Sequence, residues 1–224
     1  MFFDDLAVSW PLLWDGFKNT IQILITATIG GVFIGTILAL LRLSSFKPFS
    51  MFAKLYVNVF RSIPLLLVLM WFYFAVPFIY TGITGKYIQG DIAFKSAVVA
   101  FMLFEAAYFS EIVRAGIQSI SKGQTFAAYA LGMTYGQTMR LVILPQAFRK
   151  MLPLILQQTI ILFQDSTLVV AIGITDFFRA ANVRGQNLAG GMLENYIVFA
   201  GLVYFAISLI ATYGVKKLHE RLRV

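Results

Sequence analysis

Cysteine is absent, histidine occurs once, and charged side chains make up only 12% of the 224 residues. Each shortage excludes something. Without cysteine there are no disulfides, thiolate zinc sites or cysteine nucleophiles. The single histidine, His219, lies in the basic tail KKLHERLRV, which leaves neither a Ser-His-Asp set nor a His/Cys metal cluster. No glycine-rich loop ends in Gly-Lys-Ser/Thr, so the chain is not itself a P-loop ATPase. A soluble domain would carry roughly a quarter charged residues; the low content here argues against one. The net charge of +8 comes without the aromatic-interleaved basic patches of RNA binders, so no nucleic-acid partner is expected. The start, MFFDDLAVSWPLLWDG, is acidic and aromatic, whereas a cleaved signal peptide begins basic.

What the chain has in abundance is apolar sequence, 59% of residues. Several blocks reach the 18 or so residues that cross a hydrocarbon core of roughly 30 Å. The expected fold class is an all-α integral membrane protein with about five transmembrane helices: Phe17 to Leu41, Tyr56 to Tyr80, Ala93 to Val113, Leu152 to Ile174 and Tyr196 to Val215. Trp10, Pro11 and Trp14 read as an interfacial segment, because Trp favours the headgroup level. With the N-terminus outside, most of the 18 basic residues fall on inner segments, including Arg42, Arg61, Arg114, Arg149, Lys150, Lys216 and Lys217. Asp4, Asp5, Asp15, Asp91, Asp176 and Glu194 fall outside. The positive-inside rule therefore selects an outer N-terminus and a cytoplasmic C-terminus. The expected organisation is an outer segment 1–16, one membrane domain 17–215 with a cytoplasmic loop at about 114–151, and a basic tail 216–224.

That loop is unusual. Gln124 to Leu131 is rich in alanine, a strong helix former. Gly132 stops the helix, since glycine tolerates the left-handed turn of a helix end. Tyr135 to Ile143 is again helix-compatible, and Pro145 is expected to turn the chain before it re-enters the membrane after Pro153. Phe126, Tyr129, Leu131, Met133 and Tyr135 are read as exposed. An apolar patch of that kind on a short loop marks a protein contact.

The spacing of Phe126-Ala127-Ala128, Gly132, Val142 and Leu144-Pro145 resembles the EAA loop of ABC importer permeases, in which Glu-Ala-Ala is followed at these intervals by Gly, Ile and Leu-Pro. The chain departs from that pattern with Phe126 for glutamate and Val142 for isoleucine. NVFRSIPLLLVLMWFYF, FEAAYFSEIVRAGIQSISKGQ, LPQAFRKMLP and FQDSTLV are similar to the polar amino-acid branch of these permeases, and within it to glutamate/aspartate importers. The resemblance implies a type I ABC importer permease in a bacterial inner membrane. It implies a non-catalytic subunit that binds no cofactor, with ATP and Mg used by a separate cytoplasmic ATPase dimer. It also implies a second permease, identical or homologous, and a solute-binding protein outside. Coupling to the ATPase would fall to Phe126, Ala127, Ala128, Tyr129, Leu131 and Gly132.

Glu105 and Asp165 lie within predicted spans. Carboxylates at that depth face the bundle interior or a water-filled path, because lipid exposure of an ion costs several kcal/mol. Glu105, Gln164, Asp165 and Arg61 are candidate translocation-path residues; for Glu105, inter-helix packing competes with that role. Glu111 and Arg114, three residues apart, are placed to pair on one helix face. Two other classes compete. An ion-coupled secondary amino-acid transporter would need inverted repeats and matched broken helices, which the sequence does not display. An intramembrane enzyme would rest on Glu105 with Asp165 alone.

Overall fold

The computed structural model describes residues 2–88, 90–188 and 191–222, and among them the chain is helical without strands. Five helical stretches are long and apolar enough to cross a membrane: Phe2–Leu43, Leu65–Thr84, Ile92–Gln118, Tyr135–Ile172 and Leu193–Leu222. In chain order the helices are α1 Phe2–Leu43, α2 Lys47–Ser62, α3 Leu65–Met70, α4 Val76–Thr84, α5 Ile92–Gln118, α6 Lys122–Ala130, α7 Tyr135–Thr138, α8 Leu144–Asp165, α9 Phe177–Asn187 and α10 Leu193–Leu222.

The α1–α5 pair is the spine of the fold. It forms because one face of α1 is small. Ala27, Gly31, Gly35 and Ala39 are buried there, opposite Ala97, Ala100, Ala106 and Ala107 of α5. In lipid, where apolar surface gains nothing by leaving the solvent, close backbone approach of this kind drives helix association. On the other side of the bundle, α8, α9 and α10 enclose Phe163, Phe177, Tyr196 and Tyr204 together with Leu13 of α1.

The five expected spans are present, with four differences of detail. First, Trp10, Pro11 and Trp14 belong to one continuous α1 and form no separate segment. The physical reason is a polar tie. Asp5 accepts hydrogen bonds from Arg184 of α9 and the Tyr196 hydroxyl of α10, holding the first turns against the bundle. Second, the second span does not begin at Tyr56. An amphipathic α2 ends at Ser62, and Ile63 and Pro64 are extended before α3 starts. Pro64 therefore sits before the helix rather than in its first turns, as expected where a residue preceding proline is pushed out of the α region. Third, Pro145 does not turn the chain. A π turn at Met139–Ile143 lets Leu144 N–H reach the Met139 carbonyl, and helix continues through Pro145 and Pro153 to Asp165. The same device precedes Pro77, where a π turn at Trp71–Ala75 brings Val76 N–H to the Trp71 carbonyl. The wider turn relieves the clash between a proline ring and the carbonyl one turn back. Fourth, the third and fifth spans run past both of their expected ends.

A cytoplasmic corner and a broken membrane core

The corner starts with α6, nine residues long. It ends in two reinforcing hydrogen bonds: Met133 N–H to the Ala128 carbonyl at 3.1 Å and Gly132 N–H to the Tyr129 carbonyl at 2.9 Å. Gly132 has φ +78°, the left-handed conformation in which a side chain is strained. The next helix then starts on a reciprocal cap, Thr134 Oγ1 accepting from Gln137 N–H while Gln137 Oε1 accepts from Thr134 N–H. Both ends of the turn are fixed by backbone groups that would otherwise lack partners. Gln146 Nε2 donates to Gln124 Oε1 at 3.2 Å, tying α8 to α6.

The surface of this corner is apolar. Phe126, Ala127, Tyr129, Leu131 and Tyr135 are exposed, Leu131 at 82%. Of the expected coupling positions Ala128 alone is turned inward and buried. Met133 is half-buried rather than exposed. Of the loop-pattern positions, Leu144 and Pro145 are exposed and Val142 is half-buried. No acidic residue occurs between Glu111 and Asp165, so the corner is uncharged or basic throughout.

Within the membrane, Glu105 is fully buried, and one carboxylate oxygen accepts from Gln158 Nε2 of α8 at 3.0 Å. The other oxygen has no hydrogen-bond partner among the described residues. Glu105 thus links α5 to α8. Glu105→Ala is expected to lower stability by about 2 kcal/mol, because it strands the Gln158 amide and opens a void. Glu105→Gln should cost less. Thermal unfolding in detergent checks the order of the two.

Asp165 is the last residue of α8 and half-buried; Gln164 beside it is exposed. From Ser166 to Ile172 the chain tightens into a 3-10 helix that stops at Gly173, φ +86°. Arg179 Nη1 donates to the Val170 carbonyl at 3.2 Å. This segment packs on α3, directly after the Ile63–Pro64 break. Two interruptions of helix therefore meet in one core cluster, next to Asp165. Irregular backbone at membrane depth persists only where it is buried in protein or lines a water-filled cavity. Such interruptions were not expected from the sequence; Pro64 was the visible signal for the first, and nothing in FQDSTLV marked the second. Just outside, Asp176 caps α9, accepting from Phe178 N–H, Arg179 N–H and the Tyr204 hydroxyl. Burial pushes its carboxyl above the ordinary value, opposed by those donors.

Arg61 is committed elsewhere. It reaches Glu111 at 3.3 Å and lies over the Tyr108 ring at 5.4 Å. Glu111 also receives Arg42 at 2.7 Å and Arg114 at 2.7 Å. The expected Glu111–Arg114 pair is one arm of a three-arginine hub joining α1, α2 and α5. Sequence reading missed Arg42 and Gln158 because their partners are 69 and 53 positions away. Glu111→Gln removes the only charge that, among the described residues, opposes these three guanidinium groups, and is expected to cost about 2–3 kcal/mol, partial exposure keeping it below a fully buried pair. A lowered melting temperature in detergent is the readout.

Residues 31–224 match the family described as the binding-protein-dependent transport system inner membrane component. The chain belongs to that family. Two curated relatives set its neighbourhood. The glutamate/aspartate import permease protein GltK of Escherichia coli O6:H1 is 54% identical over 213 residues, covering 95% of this chain and 94% of the relative. The arginine transport system permease protein ArtQ of Bacillus subtilis is 39% identical, covering 95% and 93%. Among solved structures, a crystal structure of an amino acid ABC transporter superposes with TM-score 0.85 at 31% identity over 98% of both chains. The MetNI methionine ABC transporter superposes with TM-score 0.75 at 20% identity over 95% and 97%, which shows the shared fold. This family is an inner membrane component of binding-protein-dependent transport, which favours a permease subunit over an ion-coupled secondary transporter.

Proposed function

We propose that the chain is the permease subunit of an ATP-driven importer for acidic amino acids, glutamate and aspartate, and that α6 and the Gly132 corner are its contact with a cytoplasmic ATPase. The cargo assignment rests on the 54% identity to GltK across nearly the whole chain. The contact rests on one observation: Phe126, Tyr129, Leu131 and Tyr135 project from a corner whose two turns are locked by hydrogen bonds. A stiff corner transmits displacement, and its apolar face needs a protein cover. With Phe126 in place of the family's glutamate, aromatic packing rather than a carboxylate engages the partner.

Five spans enclose little space, and Gln164 beside the broken core is exposed, with Asp165 half-buried. A second permease, identical or homologous, closes that side. Glu105, Gln164 and Asp165 line or brace the path, and Arg61 acts through the Glu111 hub. A solute-binding protein delivers cargo outside. ATP and Mg are used by the ATPase dimer, and this chain binds no cofactor. ATP-driven closure of the ATPases draws the corners together and reorients the bundle.

The test is reconstitution of the chain with its co-purifying ATPase and binding protein in liposomes. ATP-dependent glutamate uptake, competed by aspartate and not by arginine or glutamine, is the expected result. Uptake competed by arginine or glutamine instead overturns the cargo assignment. Failure of any ATPase to co-purify with the folded chain overturns the contact.

A further inference from the structure

We propose that the cleft between the cytoplasmic ends of α5, α8 and α10 binds one anionic phospholipid of the inner leaflet. The cleft has a volume of about 680 Å³, within the range of roughly 300–1,000 Å³ typical of small-molecule sites. Its lining is divided by chemistry. Ala115, Leu154 and Leu222 supply an apolar wall, whereas Arg149, Lys150 and His219 supply donors. Among the described residues no carboxylate lines it. Leu154 and Ala115 are exposed and Leu222 is half-buried, so among the described residues most of the apolar wall is left uncovered.

The charge is available to a ligand. Lys150 Nζ donates once, to the Ser119 carbonyl at 3.2 Å, and an ammonium has three donors. Arg149 is exposed and forms no ion pair among the described residues. The position also fits. These groups stand where the spans leave the membrane on the basic, cytoplasmic side, at the depth of inner-leaflet headgroups. A phosphate held by Arg149 and Lys150 with acyl carbons against Leu154 and Leu222 matches the divided lining. A basic pocket between membrane helices on that side is suited to anionic headgroups. Ser119 and Gln146 border the cleft, and Gln146 bonds to Gln124 of α6. Lipid occupancy therefore stiffens the seat of the cytoplasmic corner.

The test uses the full chain, purified with whatever subunits accompany it, in mixed phosphatidylglycerol and phosphatidylcholine. Native mass spectrometry reads the bound lipid. The wild type is expected to retain one phosphatidylglycerol per chain, enriched about tenfold or more over phosphatidylcholine, since each basic contact contributes on the order of 1 kcal/mol. Arg149→Gln with Lys150→Gln should bring the two lipids close to parity. Ala115→Trp, which fills the cleft from an exposed position and leaves the charges in place, should remove the retained lipid. Equal retention of both lipids by the wild type overturns the proposal, as does enrichment unchanged in both variants. Displacement by millimolar inorganic phosphate assigns the cleft to a soluble anion and overturns the lipid. Retention seen only after the ATPase is stripped away assigns it to a protein contact, with the same consequence.

Discussion

Gly132→Arg is expected to insert and fold like the wild-type chain and to lose uptake completely. Space is not the obstacle, because a side chain added at Gly132 meets nothing within 4 Å. Conformation is one obstacle. At φ +78° an L-residue costs roughly 1–2 kcal/mol. That is small beside the stability of the bundle, but it falls wholly on a turn held by two hydrogen bonds. The other obstacle is chemistry: a guanidinium next to Leu131 and Tyr135 must be desolvated for an apolar partner to close over the face. Gly132→Asn separates the two, since asparagine tolerates the left-handed region and carries no charge. Reconstituted uptake should be largely kept by Gly132→Asn and absent with Gly132→Arg, with ATPase either unbound or hydrolysing without transport. Normal uptake by the arginine variant removes the coupling role from this corner.

The largest loss of folding is expected from Gly35→Leu. A Cβ at that position would lie 2.8 Å from the Ala106 carbonyl oxygen, 2.8 Å from Phe109 Cβ and 2.9 Å from Ser110 N. Two of those atoms are backbone, which cannot swing aside. A leucine must therefore push α1 off α5, at the pair that forms the spine of the fold. Overpacking alone costs 1–3 kcal/mol and more where backbone blocks relaxation. Displacement would also disturb Arg42, whose partner Glu111 lies across the same two helices. Gly201→Leu is the control, because nothing lies within 4 Å of a Cβ there. Expression followed by size-exclusion in mild detergent should give aggregated or degraded Gly35→Leu and monodisperse Gly201→Leu. Equal behaviour would show that the α1–α5 contact is loose enough to admit the added side chain.

The two cases show why some features were legible in the chain and others were not. Gly132 announces itself: an alanine-rich helix needs a stop, and glycine is the residue that stops it. Gly35 does not. Its neighbours on α5 lie more than 70 positions away, and nothing local distinguishes it from Gly30, Gly31 or Gly201. Proline misled in one direction. Pro145 looked like a turn because the ring removes a donor and crowds the preceding carbonyl, yet a π turn one step upstream absorbs both defects and the helix continues. Pro64, where no such turn intervenes, did break its helix.

By itself the sequence determined the class, the number of spans and the helix-stop at Gly132. All three follow from composition and short-range pattern: apolar length set by bilayer thickness and the backbone freedom of one glycine. Only the tertiary structure decided that Glu111 gathers three arginines, that Glu105 spends one oxygen on Gln158, and that the breaks at Ile63–Pro64 and Ser166–Ile172 meet in one core. These depend on which helix faces which. In a membrane every helix is apolar enough to face any other, so the choice is made by small-residue fit and by a few buried polar partners, and neither is written within a single helix.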